Sequence, residues 1–267
     1  MLTLGVDIGS LTGKALVLED DRIRAWDLIL TGPDSVETGT TVTNNTLAKA
    51  GVRLEDFDFI VSTGYGRIVI PFAHKNISEI SCHARGANFL FPKARSILDM
   101  GGQDCKAIRC DAKGKVLDFA MNDKCAAGAG RSMGIMSELV DVPLDEIGPL
   151  SLRAEDGGVP ISSTCVVFAR HEVLAYLRRG VSKSAVLAGA CEALASRVHA
   201  MLRRVGVEED FVISGGIARN LGVVRRLEQR LRLPAKIDEH PQLVGALGAA
   251  LFARDLAARG SRRGVRH

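Results

Sequence analysis

The spacing of apolar and polar positions along the chain predicts an α/β protein. Leu2–Ile8 and Leu11–Leu18 are apolar, strand-like runs, and Arg22–Leu30 adds a third strand. Apolar positions at helical spacing predict a helix over Val36–Ala50, and the strand FDFIVST follows it. Strands that alternate with helices in this way are typical of α/β folds.

The same order begins again near residue 96. The apolar strand SILDM ends in Asp-x-Gly-Gly, so Asp7-Ile8-Gly9 and Asp99-Met100-Gly101 are two copies of one strand–turn element, 92 residues apart. A repeat that heads each half of the chain predicts a duplicated α/β fold with a nucleotide cleft between the two halves. The spacing further predicts a helix over Ile77–Phe91 and a long helix over Ser184–Val205.

The repeat also predicts the domain boundaries. We expect residues 1–95 to form the first half and residues 96–242 the second, with the Gly- and Ala-rich helix at 243–258 returning to the first half. The short basic segment 259–267 is predicted to be a disordered tail.

Composition and charge narrow the classes of partner. Net charge is +4, basic residues are spread along the chain, and aromatic residues make up only 4%, so a nucleic-acid partner is not expected. No apolar run reaches the length of a membrane span, and a strand-like segment follows Met1 directly, so we expect a cytoplasmic protein and no membrane partner. The six cysteines are then expected to be reduced.

Three glycine-containing turns are the candidate nucleotide contacts. At the first turn, Gly9 lets backbone N–H groups approach a phosphate, and Ser10 and Lys14 add polar contacts. Carboxylates suit Mg²⁺, which Asp7 is expected to hold through water. The residues of the other two turns are Asp99, Gly101, Gly102 and Gln103, then Gly215, Gly216 and Asn220.

These turns have distinct expected roles. In the second, Asp99 is a candidate catalytic residue, and Gln103 lies where a side chain can orient a water that attacks the γ-phosphate. In the third, Gly215 and Gly216 would let the backbone approach the adenine and ribose. A tight turn made for ordinary reasons also contains Asp and Gly, so each motif alone is weak.

Two cysteines are placed as thiolates at helix N-termini. Cys125 lies in MNDKCAAGAGR (121–131) and Cys165 in ISSTCVVFA (161–169), and each precedes a helical pattern. Free N–H groups and the helix dipole at such a position lower the pKa of a thiol and stabilise negative charge. We interpret the pair as half of a metal-cluster site.

Cys82 and His83 are adjacent and point in different directions on a helix, so we interpret Cys82 as a packed thiol.

These motifs together resemble the BadF/BadG/BcrA/BcrD ATPase family, within the actin/hexokinase/Hsp70 superfamily. The superfamily pattern is DIGS, DMGGQD, SGGIARN and GALGAA in that order, and it covers nearly the whole chain. More specific are GYGR at 64–67, SCHARGA at 81–87 and the two cysteine motifs. One departure is Ala129, where family members often have Thr between two glycines.

The resemblance implies an ATPase with a duplicated, ribonuclease H-like fold and an oxygen-sensitive dimer. One [4Fe-4S] cluster would be shared between the subunits, with Cys125 and Cys165 of each as ligands. ATP or ADP with Mg²⁺ would bind in the cleft, and ATP would make the stored electron more reducing. The resemblance also implies an electron donor such as ferredoxin or flavodoxin and a CoA-ester reductase or dehydratase component as the acceptor.

Several alternatives stay open. The 25 Arg against 10 Lys slightly favour a benzoyl-CoA reductase ATPase subunit, paired with a sister chain, over a homodimeric activator of a 2-hydroxyacyl-CoA dehydratase. Outside the family, a small-molecule kinase of the sugar-kinase type should have a catalytic Asp in an acceptor pocket, for which Asp99 is the candidate, although Gln103 suits water positioning better than phosphoryl acceptance. A regulatory nucleotide switch would need a peptide-binding module, for which the chain has no residues left.

Overall fold

The computed structural model describes residues 1–122, 130–155, 157–162 and 165–264. The chain divides into two compact units. The first comprises Met1–Pro92, the short segment Asp111–Val116 and the chain from Gln242 onward, and the second comprises Lys93–Cys110 and Leu117–Pro241.

A five-stranded sheet forms the centre of the first unit, in the order β3-β2-β1-β4-β5. Its strands are β1 (Leu2–Ile8), β2 (Thr12–Glu19), β3 (Arg22–Leu30), β4 (Phe59–Gly64) and β5 (Lys75–Asn76). β1 is antiparallel to β2 and parallel to β4, with Asp7 opposite Lys14 on one side and Thr63 on the other. Leu4, Val6 and Ile8 are fully buried, which explains the nearly continuous apolar run of β1.

Three helices cover this sheet: α1 (Ser35–Ala50), α2 (Glu79–Leu90) and α8 (Val244–Gly264). Asp34 caps α1 by accepting from the backbone N–H of Val36 and Glu37, and Gly51 ends it at φ 65°. α8 lies so close to β1 that a Cβ on Gly5 would be 2.0 Å from the Ala246 carbonyl oxygen. The Gly- and Ala-rich composition of α8 is therefore required by close packing.

The second unit repeats this strand order in a smaller sheet, β8-β7-β6-β9. Its strands are β6 (Ser96–Met100), β7 (Cys105–Cys110), β8 (Val116–Met121) and β9 (Val212–Ser214). β6 is antiparallel to β7 and parallel to β9, as β1 is to β2 and β4. The predicted duplication of the strand–turn element is thus present in the backbone pairing.

The helices of the second unit are α3 (Gly130–Val140), α4 (Ile147–Ser151), α5 (Val166–Arg178), α6 (Lys183–Val205) and α7 (Leu221–Leu231). Within the described part of the chain, α6 alone has the length and composition of a membrane span, and 61% of its apolar window is buried inside the protein. Its apolar residues belong to the largest core cluster, together with Phe211 and Leu98. α6 is a core helix of this unit.

The structure departs from the sequence predictions at four places. The expected strand over AKIDE is reduced to a single bridge between Lys236 and Val212. β8 and the two-residue β5 were not predicted. α8 continues to Gly264, into the segment predicted to be a disordered tail.

Candidate functional site

The first turn joins β1 to β2 and holds a buried ion pair. Gly9 N–H donates to the Thr12 carbonyl oxygen at 3.0 Å, which closes the turn. Lys14 Nζ lies 3.1 Å from Asp7 Oδ2 and 3.1 Å from the same Thr12 carbonyl. The side chains of Lys14 and Asp7 are only 10% and 7% exposed, so the cation is fixed at the end of the strand. Ser10 is half-buried in the turn.

The neighbouring strand β4 ends against this carboxylate. Gly64 has φ 83°, and a Cβ at this position would lie 2.4 Å from Asp7 Oδ1 and 2.5 Å from the Ile8 carbonyl oxygen. Glycine is required here both by the backbone conformation and by the close approach. The GYGR motif thus starts at the residue that allows β4 to meet Asp7.

The second turn repeats this arrangement around Asp99. Gly101 N–H donates to the Asp104 carbonyl oxygen at 2.9 Å, as Gly9 does to Thr12. Lys106 Nζ lies 3.5 Å from Asp99 Oδ2 and is also hydrogen-bonded to Asp104 Oδ1. All three side chains are 5% exposed or less. This turn therefore carries two buried carboxylates around one lysine, whereas the first carries one.

The third turn, after β9, contacts the same carboxylate. Gly215 has φ 85°, and a Cβ on it would lie 2.4 Å from the Met100 carbonyl oxygen and 2.7 Å from Asp99 Oδ1. Gly64 and Gly215 thus occupy corresponding positions in the two units. We predicted that Gly215 lets the backbone approach adenine. The structure shows a further reason for glycine at this position, which is its close contact with β6. Gly216 is exposed.

Asn220 is the N-cap of α7. Its Oδ1 accepts from Val223 N–H at 3.1 Å and lies 3.7 Å from Cys191 Sγ. The side-chain oxygen thus has a structural role, and its contact with a nucleotide stays a prediction.

The carbonyl groups of the second turn are bonded to the start of α3. Gly130 N–H donates to the Gly101 oxygen at 2.9 Å, and Arg131 N–H donates to the Gly102 oxygen at 2.7 Å. These are first-turn N–H groups of a helix, which have no partner within the helix. The turn that carries Gln103, itself half-buried, is therefore tied directly to the helix that begins five residues after Cys125.

Of the two candidate cluster cysteines, Cys165 lies in the described part of the chain and Cys125 does not. Cys165 is the N-cap of α5, with extended backbone (φ −139°, ψ 125°), a half-buried side chain and no capping hydrogen bond from it. A thiolate there faces the free N–H groups of the first helical turn, which suits a ligand of a negatively charged cluster. In the described segments no group of three or more metal-ligating side chains occurs.

The other described cysteines behave as packed thiols. Burial raises the pKa of Cys82 to about 12 and raises the pKa of Cys105 and Cys191 as well. Cys110 is also buried. The interpretation of Cys82 as a core thiol agrees with its complete burial.

Sequence reasoning missed Lys106 and Asp104. The signal was available, because Lys106 follows Asp99 by seven residues, as Lys14 follows Asp7. Aligning the two copies of the repeat identifies Lys106 as the residue that corresponds to Lys14.

A sequence model of the BadF/BadG/BcrA/BcrD ATPase family matches residues 4–253. The chain belongs to this family. Among its relatives, the activator of lactoyl-CoA dehydratase of Anaerotignum propionicum is 45% identical over 96% of this chain and 99% of its own length. The activating ATPase of (R)-2-hydroxyglutaryl-CoA dehydratase of Acidaminococcus fermentans is 40% identical, over 96% and 98%.

Solved structures confirm the expected fold class. The Clostridium difficile activator of 2-hydroxyisocaproyl-CoA dehydratase, solved with bound ADPNP, has a TM-score of 0.93 at 40% identity and covers 98% of both chains. A glucokinase of the ROK family from Streptomyces griseus has a TM-score of 0.59 at 14% identity, over 96% of this chain and all of that one, which shows the shared hexokinase-like fold alone.

These identities do not favour the slight preference for a reductase component. A benzoyl-CoA reductase chain of Thauera aromatica is 31% identical, over 94% of this chain and 92% of its own, below the two activators.

Proposed function

We propose that this protein is an ATP-hydrolysing activator that delivers low-potential electrons to a 2-hydroxyacyl-CoA dehydratase. Activators of such dehydratases that are 45% and 40% identical over nearly their whole lengths support this assignment. In this proposal the two units correspond to the two halves of the ATPase fold.

The observation that carries the proposal is the pair of backbone hydrogen bonds from Gly130 and Arg131 to Gly101 and Gly102. Hydrolysis assisted by Gln103 at the second turn would act on the same backbone whose carbonyl groups fix the start of α3. Movement of that turn on ATP hydrolysis would therefore move the helix next to Cys125. A switch needs such a direct connection between its nucleotide and its output.

Each unit has a turn with candidate residues for ATP hydrolysis. Lys14, held by Asp7, would contact phosphate oxygens at the first turn, and Asp7 would hold Mg²⁺ through water. In the second unit Asp99 faces Lys106, and Gln103 would orient the attacking water. A nucleotide analogue bound to a relative of 40% identity supports nucleotide binding here.

The cysteines would hold a [4Fe-4S] cluster between two subunits. One chain offers Cys125 and Cys165, and four thiolates complete such a cluster, so two chains are needed. The cluster would supply one-electron storage. Beside Cys165, Val167 and Phe168 are 56% and 65% exposed, and a second subunit would remove this apolar surface from water. We propose a homodimer that works in the cytoplasm, takes electrons from ferredoxin or flavodoxin and meets its dehydratase transiently.

The first test is iron and sulfide content after anaerobic purification, with the visible spectrum. We expect about four iron per dimer, and Cys165→Ser and Cys125→Ser should each lose the cluster, because each removes a thiolate from both subunits. Full iron in either variant would refute the ligand assignment. No iron after reconstitution would leave the kinase alternative as the better hypothesis.

A second test concerns hydrolysis. Asp7→Asn and Gln103→Ala should slow ATP turnover and leave the iron content unchanged, because neither side chain is a proposed ligand of the cluster. Wild-type turnover in both variants would remove them from the ATP site. ATP-dependent electron transfer to a dehydratase, and not to a benzoyl-CoA reductase, would distinguish the two family functions.

A further inference from the structure

Two family-specific motifs, GYGR at 64–67 and SCHARGA at 81–87, have no role in the function proposed above. Both lie in the first unit, and the structure brings them together. Arg67 Nη1 donates to the Gly64 carbonyl oxygen at 2.9 Å and to Glu79 Oε2 at 3.0 Å. Because Gly64 contacts Asp7, this ion pair fixes the start of α2 to the strand end that bears the Asp7 carboxylate.

His83 extends the same helix toward Asp7. Its side chain is buried, at 6% exposure. A Cβ atom added to Gly245 would lie 2.9 Å from His83 Nε2 and 2.9 Å from Asp7 Oδ2. The two polar atoms are therefore no more than twice that distance apart, which a direct hydrogen bond or one bridging water spans.

Close helix packing holds the imidazole in place. A Cβ on Gly86 would lie 2.2 Å from the Val244 carbonyl oxygen, and one on Gly248 would lie 1.8 Å from the Cys82 carbonyl oxygen. α2 and α8 thus touch through their backbones on both sides of His83. The glycines of SCHARGA and GALGAA are explained by this contact, and Gly245 leaves the space in which His83 and Asp7 face each other.

We propose that His83 is a positioning residue for Asp7. The Nε2–H group is a second donor for Oδ2, the carboxylate oxygen that Lys14 also contacts, so that Asp7 keeps one orientation toward the first turn when Mg²⁺ arrives. Without His83, Lys14 alone would hold Oδ2, the carboxylate would rotate more freely, and the site would bind Mg²⁺ more weakly. This inference depends on the proposed ATPase function, in which Asp7 holds the Mg²⁺ of the nucleotide.

The test compares His83→Gln with His83→Asn in the full-length protein. A Gln amide nitrogen reaches the position of Nε2, whereas an Asn amide nitrogen reaches only that of Nδ1. The readouts are the Mg²⁺ concentration that gives half-maximal ATP hydrolysis and the Kd for a fluorescent ADP without Mg²⁺. Asn88→Ala is the matched control, since Asn88 is equally buried at the far end of α2 and bonds to Pro92.

We expect His83→Asn to raise the half-saturating Mg²⁺ concentration at least tenfold, as loss of a hydrogen bond to a charged group does, and His83→Gln to stay near the wild type. The Kd for ADP without Mg²⁺ should not change in either variant. A purely structural role would instead make His83→Gln as harmful as His83→Asn, and this result would overturn the proposal. An equal rise of the half-saturating Mg²⁺ concentration in Asn88→Ala would also overturn the proposal.

Failure of the proposed function has a different signature. Wild-type protein that does not hydrolyse ATP would refute the ATPase assignment. Wild-type protein that hydrolyses ATP, with normal Mg²⁺ dependence in His83→Asn, would refute only the role of His83.

Discussion

Lys106 holds two buried carboxylates, and its removal should be among the most harmful single changes in the second unit. Its side chain is 4% exposed, as is that of Asp104, and that of Asp99 is 5% exposed. Lys106→Met keeps the chain length but leaves both carboxylates without their shared cation. Breaking a buried ion pair from one side costs about 3–5 kcal/mol. For a protein of this size that lowers the melting temperature by roughly 6–20 °C.

A double-mutant cycle measures how much of that loss of stability comes from the interaction between Lys106 and Asp104. Asp104→Asn removes one charge and keeps the shape, so the double variant with Lys106→Met should lose about 1–3 kcal/mol less than the two single losses combined. Urea denaturation followed by circular dichroism measures each free energy of unfolding. The matched control is Lys14→Met in the first unit, which leaves one carboxylate instead of two and should cost less.

Two results would refute this reasoning. A loss below about 1 kcal/mol for Lys106→Met, as is usual for exposed pairs, would mean that water reaches the carboxylates. Strict additivity in the cycle would mean that Lys106 and Asp104 do not interact.

Two further predictions follow from thiol burial and from backbone conformation. With the cluster removed, iodoacetamide at pH 8 should alkylate the half-buried Cys165 and leave Cys82 unmodified, because burial raises the pKa of Cys82 to about 12. Peptide mass mapping measures the labelling of both cysteines, and equal labelling would contradict the burial of Cys82. Gly215→Ala should lower the free energy of unfolding, measured by urea denaturation, by several kcal/mol more than Gly51→Ala does. Both glycines have positive φ, but only at Gly215 would the new Cβ lie 2.4 Å from a carbonyl oxygen. Similar losses of stability in the two variants would mean that β6 and β9 separate easily.

The sequence was most informative where one local rule decides the structure. β1 and β2 have apolar runs because both faces are buried, and α6 has the regular spacing of a core helix. The position of Cys165 at the start of α5 also followed from local pattern.

The elements that sequence reasoning missed depend on contacts distant in sequence. β8 is half exposed, with Leu117, Phe119 and Met121 on its open side, so its apolar pattern does not match a buried strand. The proximity of His83 to Asp7 depends on the packing of α2 against α8, which lie more than 150 residues apart in the chain. No periodicity within one segment contains that information.

The two similar turns differ in charge while they keep the same geometry. Asp7 with Lys14 and Asp99 with Lys106 have the same spacing, the same strand pairing and the same glycine closing the neighbouring strand. The fifth residue after the motif aspartate, however, is Thr12 in the first copy and Asp104 in the second. The first cluster of aspartate and lysine is therefore neutral and the second carries one net negative charge when all groups are ionised. A phosphate oxygen meets less repulsion at the first turn, and a cation or a polarised water meets more attraction at the second.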